Sequence, residues 1–125
     1  MENNEKSYLS IAYDEDGVAY GVRIIGLGEN FVVALCDVEG GEEVTWDEAC
    51  NLKAPTKKQA TLMSAVWDEL NAMLQEAGGY ALSDGVRRWT STEYADNSAW
   101  YYIGSDDILR VILKCYRYGV RSVLA

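Results

Sequence analysis

A helical segment in the middle of the chain, with β-rich runs on both sides, limits the folds that this sequence can adopt. Thr56 and Gln59 form a capping box ahead of the segment, and Gly78-Gly79 follows it, so the pattern predicts one long helix. Its apolar stripe recurs at helical spacing and consists of Ala60, Met63, Val66, Trp67, Leu70, Met73, Leu74 and Ala77.

A second capping box, formed by Thr45 and Glu48, predicts a short helix that ends near Leu52. Asp-Gly between the first two β-rich runs predicts a hairpin. The predicted strands are Tyr8–Tyr13, Val18–Ile25, Phe31–Leu35, Trp100–Ile103, Ile108–Cys115 and Val120–Leu124. Because helices and strands are segregated along the chain, we expect an α+β fold with a mostly antiparallel twisted sheet and two helices.

Length and charge narrow the class of protein. A chain of 125 residues with 49% hydrophobic residues predicts a single domain over 1–125, with residues 1–6 as a flexible arm. The net charge of -9 argues against nucleic-acid binding, although residues 103–125 alone carry +2 and could favour anionic partners. No apolar run reaches the roughly 18 residues of a membrane span, so no membrane insertion is expected. No signal peptide is visible at the N-terminus.

The residues needed for catalysis or metal binding are few. The chain has no His, which removes the commonest general base and zinc ligand. Cys36, Cys50 and Cys115 are widely spaced, with no CxxC, and we expect buried free thiols. We therefore predict no enzyme activity, no metal and no cofactor.

Several motifs nevertheless occur in a specific order, and the block Trp89–Tyr94 is the most distinctive of them. They are Val44–Ala49, Ala54–Gln59, Asp68–Ala72, Gly78-Gly79, Trp89–Tyr94, Ala99-Trp100 and Val120–Val123. In this order, over residues 31–125, the chain resembles the C-type-lectin-fold variable proteins of diversity-generating retroelements, in the branch common in gut Bacteroidales and their phages. Departures from the family pattern at Ala54, Thr90 and Ile103 do not affect the inference about the fold.

The resemblance implies a C-type lectin-like fold, which is shared with formylglycine-generating enzymes and the phage major tropism determinant. It further implies a variable, ligand-binding region over 89–121 that a retroelement diversifies for receptor recognition. The expected ligand is a macromolecule, such as a bacterial surface protein or glycan, and the expected location is a phage tail or a bacterial cell surface. Within this region we expect Trp89–Tyr94, Trp100 and Val120–Arg121 to be a fixed frame.

Codon chemistry gives a partial test of this expectation. Retroelement diversification commonly rewrites Asn codons at their first two bases, and such codons cannot encode Met, Trp, Lys, Gln or Glu. These five types occupy 23 of residues 1–94 but none of the 13 residues of 106–119 when Lys114 is omitted. Chance gives this absence in about 3% of cases, although strands disfavour Glu and Lys in any event.

The predicted ligand-binding residues lie between Asp96 and Gly119. They are Asp96, Asn97, Ser98, Tyr101, Tyr102, Asp107, Leu109, Arg110, Val111, Ile112, Cys115, Tyr116, Arg117, Tyr118 and Gly119. Alternation along a strand places Leu109, Val111 and Leu113 on one face and Arg110, Ile112 and Lys114 on the other. Either face can be the core face, and the sequence leaves this choice open.

Three alternatives remain. A degenerate formylglycine-generating-enzyme-like protein would need a reactive Cys pair near the C-terminal end, where Cys115 stands alone. A calcium-dependent lectin would carry a Glu-Pro-Asn or Gln-Pro-Asp triplet, but the only proline is Pro55. A structural phage-tail or surface-appendage subunit, with no diversified site, is the third alternative. The sequence does not define an oligomeric state.

Overall fold

The chain forms two antiparallel sheets and three α-helices in a mixed α+β arrangement. The structure is a computed structural model that describes residues 8–83, 85–104 and 109–124. The predicted arm over 1–6 therefore lies outside the described residues. One sheet has the order β1-β2-β3-β7, with strands β1 (Tyr8–Tyr13), β2 (Ala19–Gly26), β3 (Glu29–Ala34) and β7 (Val123–Leu124).

The predicted hairpin joins β1 to β2. The Asp14 side chain closes its turn, because Oδ1 accepts hydrogen bonds from the backbone N–H groups of Asp16 at 2.8 Å and Val18 at 2.9 Å. Gly17 takes a positive φ of 80°, which glycine adopts without steric cost. The Asp-Gly signal in the sequence is thus confirmed.

The second sheet has the order β4-β5-β6, with strands β4 (Arg88–Ala95), β5 (Ser98–Tyr102) and β6 (Leu109–Leu113). We predicted a single sheet, whereas the structure has two separate sheets. Strand β4 was also missed, because its run Thr90–Glu93 is polar and resembles a loop. Cross-strand hydrogen bonds hold β4 in its extended conformation. In one of them the Thr90 hydroxyl donates to the Trp100 carbonyl at 2.8 Å.

The helices lie between the sheets in sequence. After a 3₁₀ helix at Val38–Gly41 come α1 (Trp46–Asn51), α2 (Lys57–Ala65) and α3 (Trp67–Glu76). Both capping boxes are confirmed. The prediction of two helices is wrong, because the long apolar stripe breaks at Val66, whose φ of -118° and ψ of 29° are not helical. The stripe continues across the break, so its spacing did not reveal two helices.

Two apolar clusters hold these elements together. The first cluster packs β2 and β3 against α2 and α3 and also includes Tyr102. The second cluster joins α1 to the second sheet through Trp89, Ala99 and Tyr101, and it also includes Val120. Strand β5 therefore contributes side chains to a core on each face of its sheet. None of the described helices is long and apolar enough to span a membrane.

Candidate ligand-binding surface

Two adjoining turns carry most of the exposed residues that we predicted as ligand contacts. The turn between β4 and β5 presents Asp96 and Asn97, and the turn after β6 presents Cys115, Tyr116 and Arg117, all of them exposed. The turns meet where the Lys114 backbone N–H donates to the Asn97 carbonyl at 2.9 Å. We call these five exposed residues the two-turn surface.

The remaining predicted contacts are not part of the two-turn surface. Arg110 is exposed but lies further along β6, opposite Tyr101 in the strand register. The half-buried predicted residues are Leu109, Val111, Ile112 and Tyr118. Asp107 lies outside the described residues.

Four predicted contacts are buried and must be corrected to supporting residues. Ser98 and Tyr101 are 8% and 6% exposed, Tyr102 is fully buried, and Gly119 is buried as well. Ser98, Tyr101 and Tyr102 are buried because β5 lies between β4 and β6 and is covered on both faces. Gly119 lies outside β5, and its backbone pairs with Arg87 and Trp89 at the start of β4. Burial raises the pKa of the Tyr102 hydroxyl well above its ordinary value, and its oxygen has no hydrogen-bond partner among the described residues.

Strand β6 has mixed faces rather than one core face and one solvent face. Leu109 packs against the first apolar cluster and Ile112 against the second, although alternation places them on opposite faces. Arg110 and Leu113 are exposed, again from opposite faces. Among the described residues β6 pairs only with β5, so it is an edge strand of its sheet.

Lys114 fixes the two turns relative to each other and to helix α1. Its Nζ donates to the Asp96 carbonyl at 2.9 Å, forms an ion pair with Glu93, and lies 4.4 Å from the centre of the Trp46 ring. The Trp46 indole in turn donates to the Thr90 carbonyl at 2.9 Å. The Lys114 side chain is only 18% exposed. Lys114 is therefore a positioning residue beneath the surface rather than a contact on it.

Tyr118 connects the exposed turn to the second apolar cluster. Its ring centre lies 5.1 Å from that of Trp89, 4.9 Å from Tyr101 and 6.4 Å from Tyr116. Its backbone N–H and carbonyl both pair with Val44, at 2.9 and 2.8 Å. Burial, and then the neighbouring Tyr101, raise the pKa of the Tyr118 hydroxyl. A continuous set of aromatic contacts thus supports Tyr116 from below.

Two residues that we expected in the fixed frame, Trp100 and Tyr94, differ in their exposure to solvent. The centre of the Trp100 ring lies 3.9 Å from Lys57 Nζ, and the ring makes an edge contact with Tyr94, at 5.7 Å between ring centres. Tyr94 is nevertheless 62% exposed, and Leu113 is 45% exposed. Both flank the two-turn surface, and neither was among our predicted contacts. The one sequence feature that could have identified Tyr94 as a contact is its aromatic side chain at the polar end of β4.

A buried ion-pair network, which the sequence did not predict, fixes the ends of the two sheets. Asp37 accepts two hydrogen bonds from Arg88, at 3.1 and 3.0 Å, and one from Arg121 at 2.8 Å. Arg121 also donates to the carbonyls of Ala34 and Tyr80 at 3.0 and 2.9 Å. Both arginines are nearly inaccessible, so this network is part of the frame. The available signal was an arginine, Arg121, within the predicted strand Val120–Leu124.

The three cysteines are free, as predicted, but they are not all buried. Cys36 and Cys115 are exposed, and Cys50 is half-buried. Burial, followed by the nearby Asp47 carboxylate, raises the pKa of the Cys50 thiol. Over residues 8–83, 85–104 and 109–124, no three His, Cys, Asp or Glu side chains are grouped so that they could hold a metal ion.

Replacing Lys114 with methionine should lower the free energy of unfolding by about 1–2 kcal/mol, because charge-assisted hydrogen bonds are lost at a partly buried site. The Lys114 amide should also exchange its hydrogen faster, because the turn that it pairs with Asn97 loses its anchor. Denaturant unfolding and hydrogen exchange measure the two effects. Lys58→Met is the matched control, because Lys58 is exposed and its ion pair with Glu29 is long, at 3.8 Å. Equal effects of both variants would contradict the positioning role.

No protein-family model and no curated protein matches this sequence.

Proposed function

We propose that the protein is a ligand-binding, receptor-recognition protein whose C-terminal surface is diversified by a retroelement, and that it acts without catalysis. On this proposal the two antiparallel sheets and three helices are a C-type lectin-like domain. The ligand is a macromolecule of a bacterial surface, either a protein or a glycan. The carrier is a phage tail or a bacterial cell surface.

The observation that carries the proposal is the separation of exposed from anchoring residues within one short segment. Asp96, Asn97 and residues 115–117 point to solvent, whereas Ser98, Tyr101 and Gly119 between and beside them are buried. Contact residues on a rigid support can change without repacking a core. This arrangement is what a surface with interchangeable contacts requires.

The position of Lys114 adds support from the codon pattern. Lys114 is the one residue of 106–119 that an Asn codon rewritten at its first two bases cannot encode. It is also the residue whose ammonium group joins Glu93, the Asp96 carbonyl and the Trp46 ring. The exception in the codon pattern thus coincides with an anchoring side chain, as expected if anchors are kept constant.

The chemistry of the two-turn surface favours a macromolecular ligand. Tyr116 supplies rigid aromatic area, Asp96 and Asn97 supply adaptable hydrogen bonds, and Arg117 is of a type enriched at binding hot spots. The surface is open rather than enclosed, with Arg117 62% exposed and 3.8 Å from Glu48. Such a surface is suited to a protein or glycan face more than to a small enclosed molecule.

The experiment that tests the proposal can be done before the ligand is identified. The five residues of the two-turn surface are randomised with codons ending in C or T, and the displayed library is selected on intact cells of unrelated bacterial species. We expect most members to stay resistant to protease, because exposed substitutions cost about 0.5 kcal/mol or less each. We expect different cells to enrich different sequences.

A second library provides the matched control. It randomises five supporting residues, namely Ser98, Tyr101, Tyr102, Lys114 and Gly119, with the same codons. Most of its members should be digested, because they lose core packing or the anchor. The proposal fails if both libraries retain protease resistance equally, or if selection on different cells never changes the residues of the two-turn surface. The second of these outcomes would favour a structural subunit.

A further inference from the structure

An open pocket of about 450 Å³ lies beside the buried ion-pair network, on a part of the molecule distinct from the two-turn surface. It is lined by Arg121 and Asp37 of the network, together with Cys36, Gly40, Tyr80, Ala81 and Ser83. Arg121 contributes to the pocket wall although it is only 1% exposed as a whole residue. The pocket plays no part in the proposed diversified surface.

The network leaves positive charge and hydrogen-bond donors beside the pocket. Among the described residues, the guanidinium groups of Arg88 and Arg121 share the single carboxylate of Asp37. The described hydrogen bonds of Arg121 use Nε and Nη1, which leaves both N–H groups of Nη2 without an acceptor in the described part of the chain. A buried guanidinium is stable only when its charge and donors are compensated.

We propose that this pocket binds a small organic monocarboxylate, held by the free side of the Arg121 guanidinium. A planar carboxylate matches the geometry of a guanidinium and forms charge-assisted hydrogen bonds with it. The hydroxyl of Ser83, on the pocket wall, is of a type that can donate to the same anion. The volume is ample for a molecule of a few carbon atoms.

Charge selects a monoanion over a dianion. Two arginines and one aspartate leave a single positive charge among the described residues of the network, which one carboxylate balances. The Asp37 carboxylate also lines the pocket, and the pKa of Asp37 is lowered because hydrogen bonds from Arg88 and Arg121 outweigh the opposing effect of burial. It therefore stays ionised at neutral pH and repels a phosphate or sulfate dianion more strongly than a carboxylate.

Two exposed cysteines make the test internally controlled. Cys36 lines the pocket, whereas Cys115 lies on the two-turn surface. The alkylation rate of each thiol by iodoacetamide, a neutral reagent, is measured by peptide mass spectrometry in sodium acetate, propionate or lactate. Sodium chloride, phosphate and sulfate at the same ionic strength are the comparison salts. We expect the best carboxylate to slow alkylation of Cys36 by about 1 + [L]/Kd, roughly tenfold at ten times Kd, with Cys115 unchanged.

A blocking variant places the effect in the pocket. Ala81→Phe fills the pocket without altering the arginines, and protection of Cys36 by the carboxylate should disappear while the melting temperature without ligand is kept. Ser83→Tyr on the same wall is the second blocking variant if Ala81→Phe does not fold. The proposal is overturned if no carboxylate protects Cys36 at up to about 100 mM, a hundred times a millimolar Kd. It is also overturned if phosphate or sulfate protects equally, if Cys115 is protected to the same extent, or if protection survives in a folded blocking variant.

Discussion

Replacing Asp37 with asparagine is expected to lower the free energy of unfolding by about 3–5 kcal/mol, because it leaves two buried guanidinium groups facing each other without a carboxylate. Arg88 and Arg121 are 2% and 1% exposed, so water can reach the two guanidinium groups only from the pocket that Asp37 and Arg121 line. The melting temperature should fall by roughly 10–20 °C for a domain of this size. Thermal and denaturant unfolding give both quantities.

The same substitution has a signature in its pH dependence. Burial tends to raise the pKa of Asp37, but hydrogen bonds from Arg88 and Arg121 outweigh it and lower the pKa below the ordinary value of 3.8. A lowered folded-state pKa stabilises the native state fully above pH 3.8, and this contribution is lost as the pH falls through the folded-state pKa. The stability difference between wild type and Asp37→Asn should therefore shrink as the pH is lowered below 3.8.

Asp96→Asn is the matched control for Asp37→Asn. Asp96 is exposed on the two-turn surface, so its substitution should change the free energy of unfolding by no more than about 0.5 kcal/mol. If Asp37→Asn and Asp96→Asn had the same melting temperature, the result would contradict the claim that the network holds the ends of the two sheets together.

Replacing Trp89 with alanine is expected to cost about 3–5 kcal/mol of unfolding free energy, since it leaves a cavity where a large aromatic side chain was buried. Trp89 has no exposed surface, and its indole N–H donates to the Val44 carbonyl at 2.8 Å. Its ring also supports Tyr118 at 5.1 Å. Denaturant unfolding measures the loss, and increased mobility of Tyr118 and Tyr116 should accompany it in side-chain NMR spectra of the variant.

Trp100→Ala is the control for Trp89→Ala, because it removes a tryptophan that lies outside the second apolar cluster. Trp100 is half-buried, and its contacts with Lys57 and Tyr94 are of kinds that contribute about 0.5–1.5 kcal/mol each. This variant should be clearly more stable than Trp89→Ala. A reversed order would mean that the second apolar cluster does not support the two-turn surface.

The sequence predicted the elements that depend on local chemistry. Turn residues between β1 and β2, and the capping boxes at Thr45 and Thr56, act through neighbouring backbone groups, so their effect can be read from adjacent residues. The break at Val66 could not be predicted in this way. Helical spacing runs through it, and only tertiary packing distinguishes two helices from one.

The candidate site was predicted only in outline for a related reason. Alternation along β5 assigns Tyr101 and Tyr102 to opposite faces, but it does not reveal that both faces are covered. Asp37, Arg88 and Arg121 are far apart in the chain, so their network depends on sheet pairing that no local pattern encodes. Exposure in the two turns, by contrast, agreed with the polar character of Asp96, Asn97 and Arg117.

The central claim is that the two-turn surface is rewritten while its supports are kept, and the DNA beside the gene tests it most directly. Sequencing that region should reveal a reverse transcriptase and a near-copy of the 3′ end of the coding sequence. In that copy, codons for Asp96, Asn97 and residues 115–117 should be Asn codons, and those for Trp89 and Lys114 should match the gene. Absence of the copy, or mismatches concentrated at Trp89 and Lys114, would contradict the account.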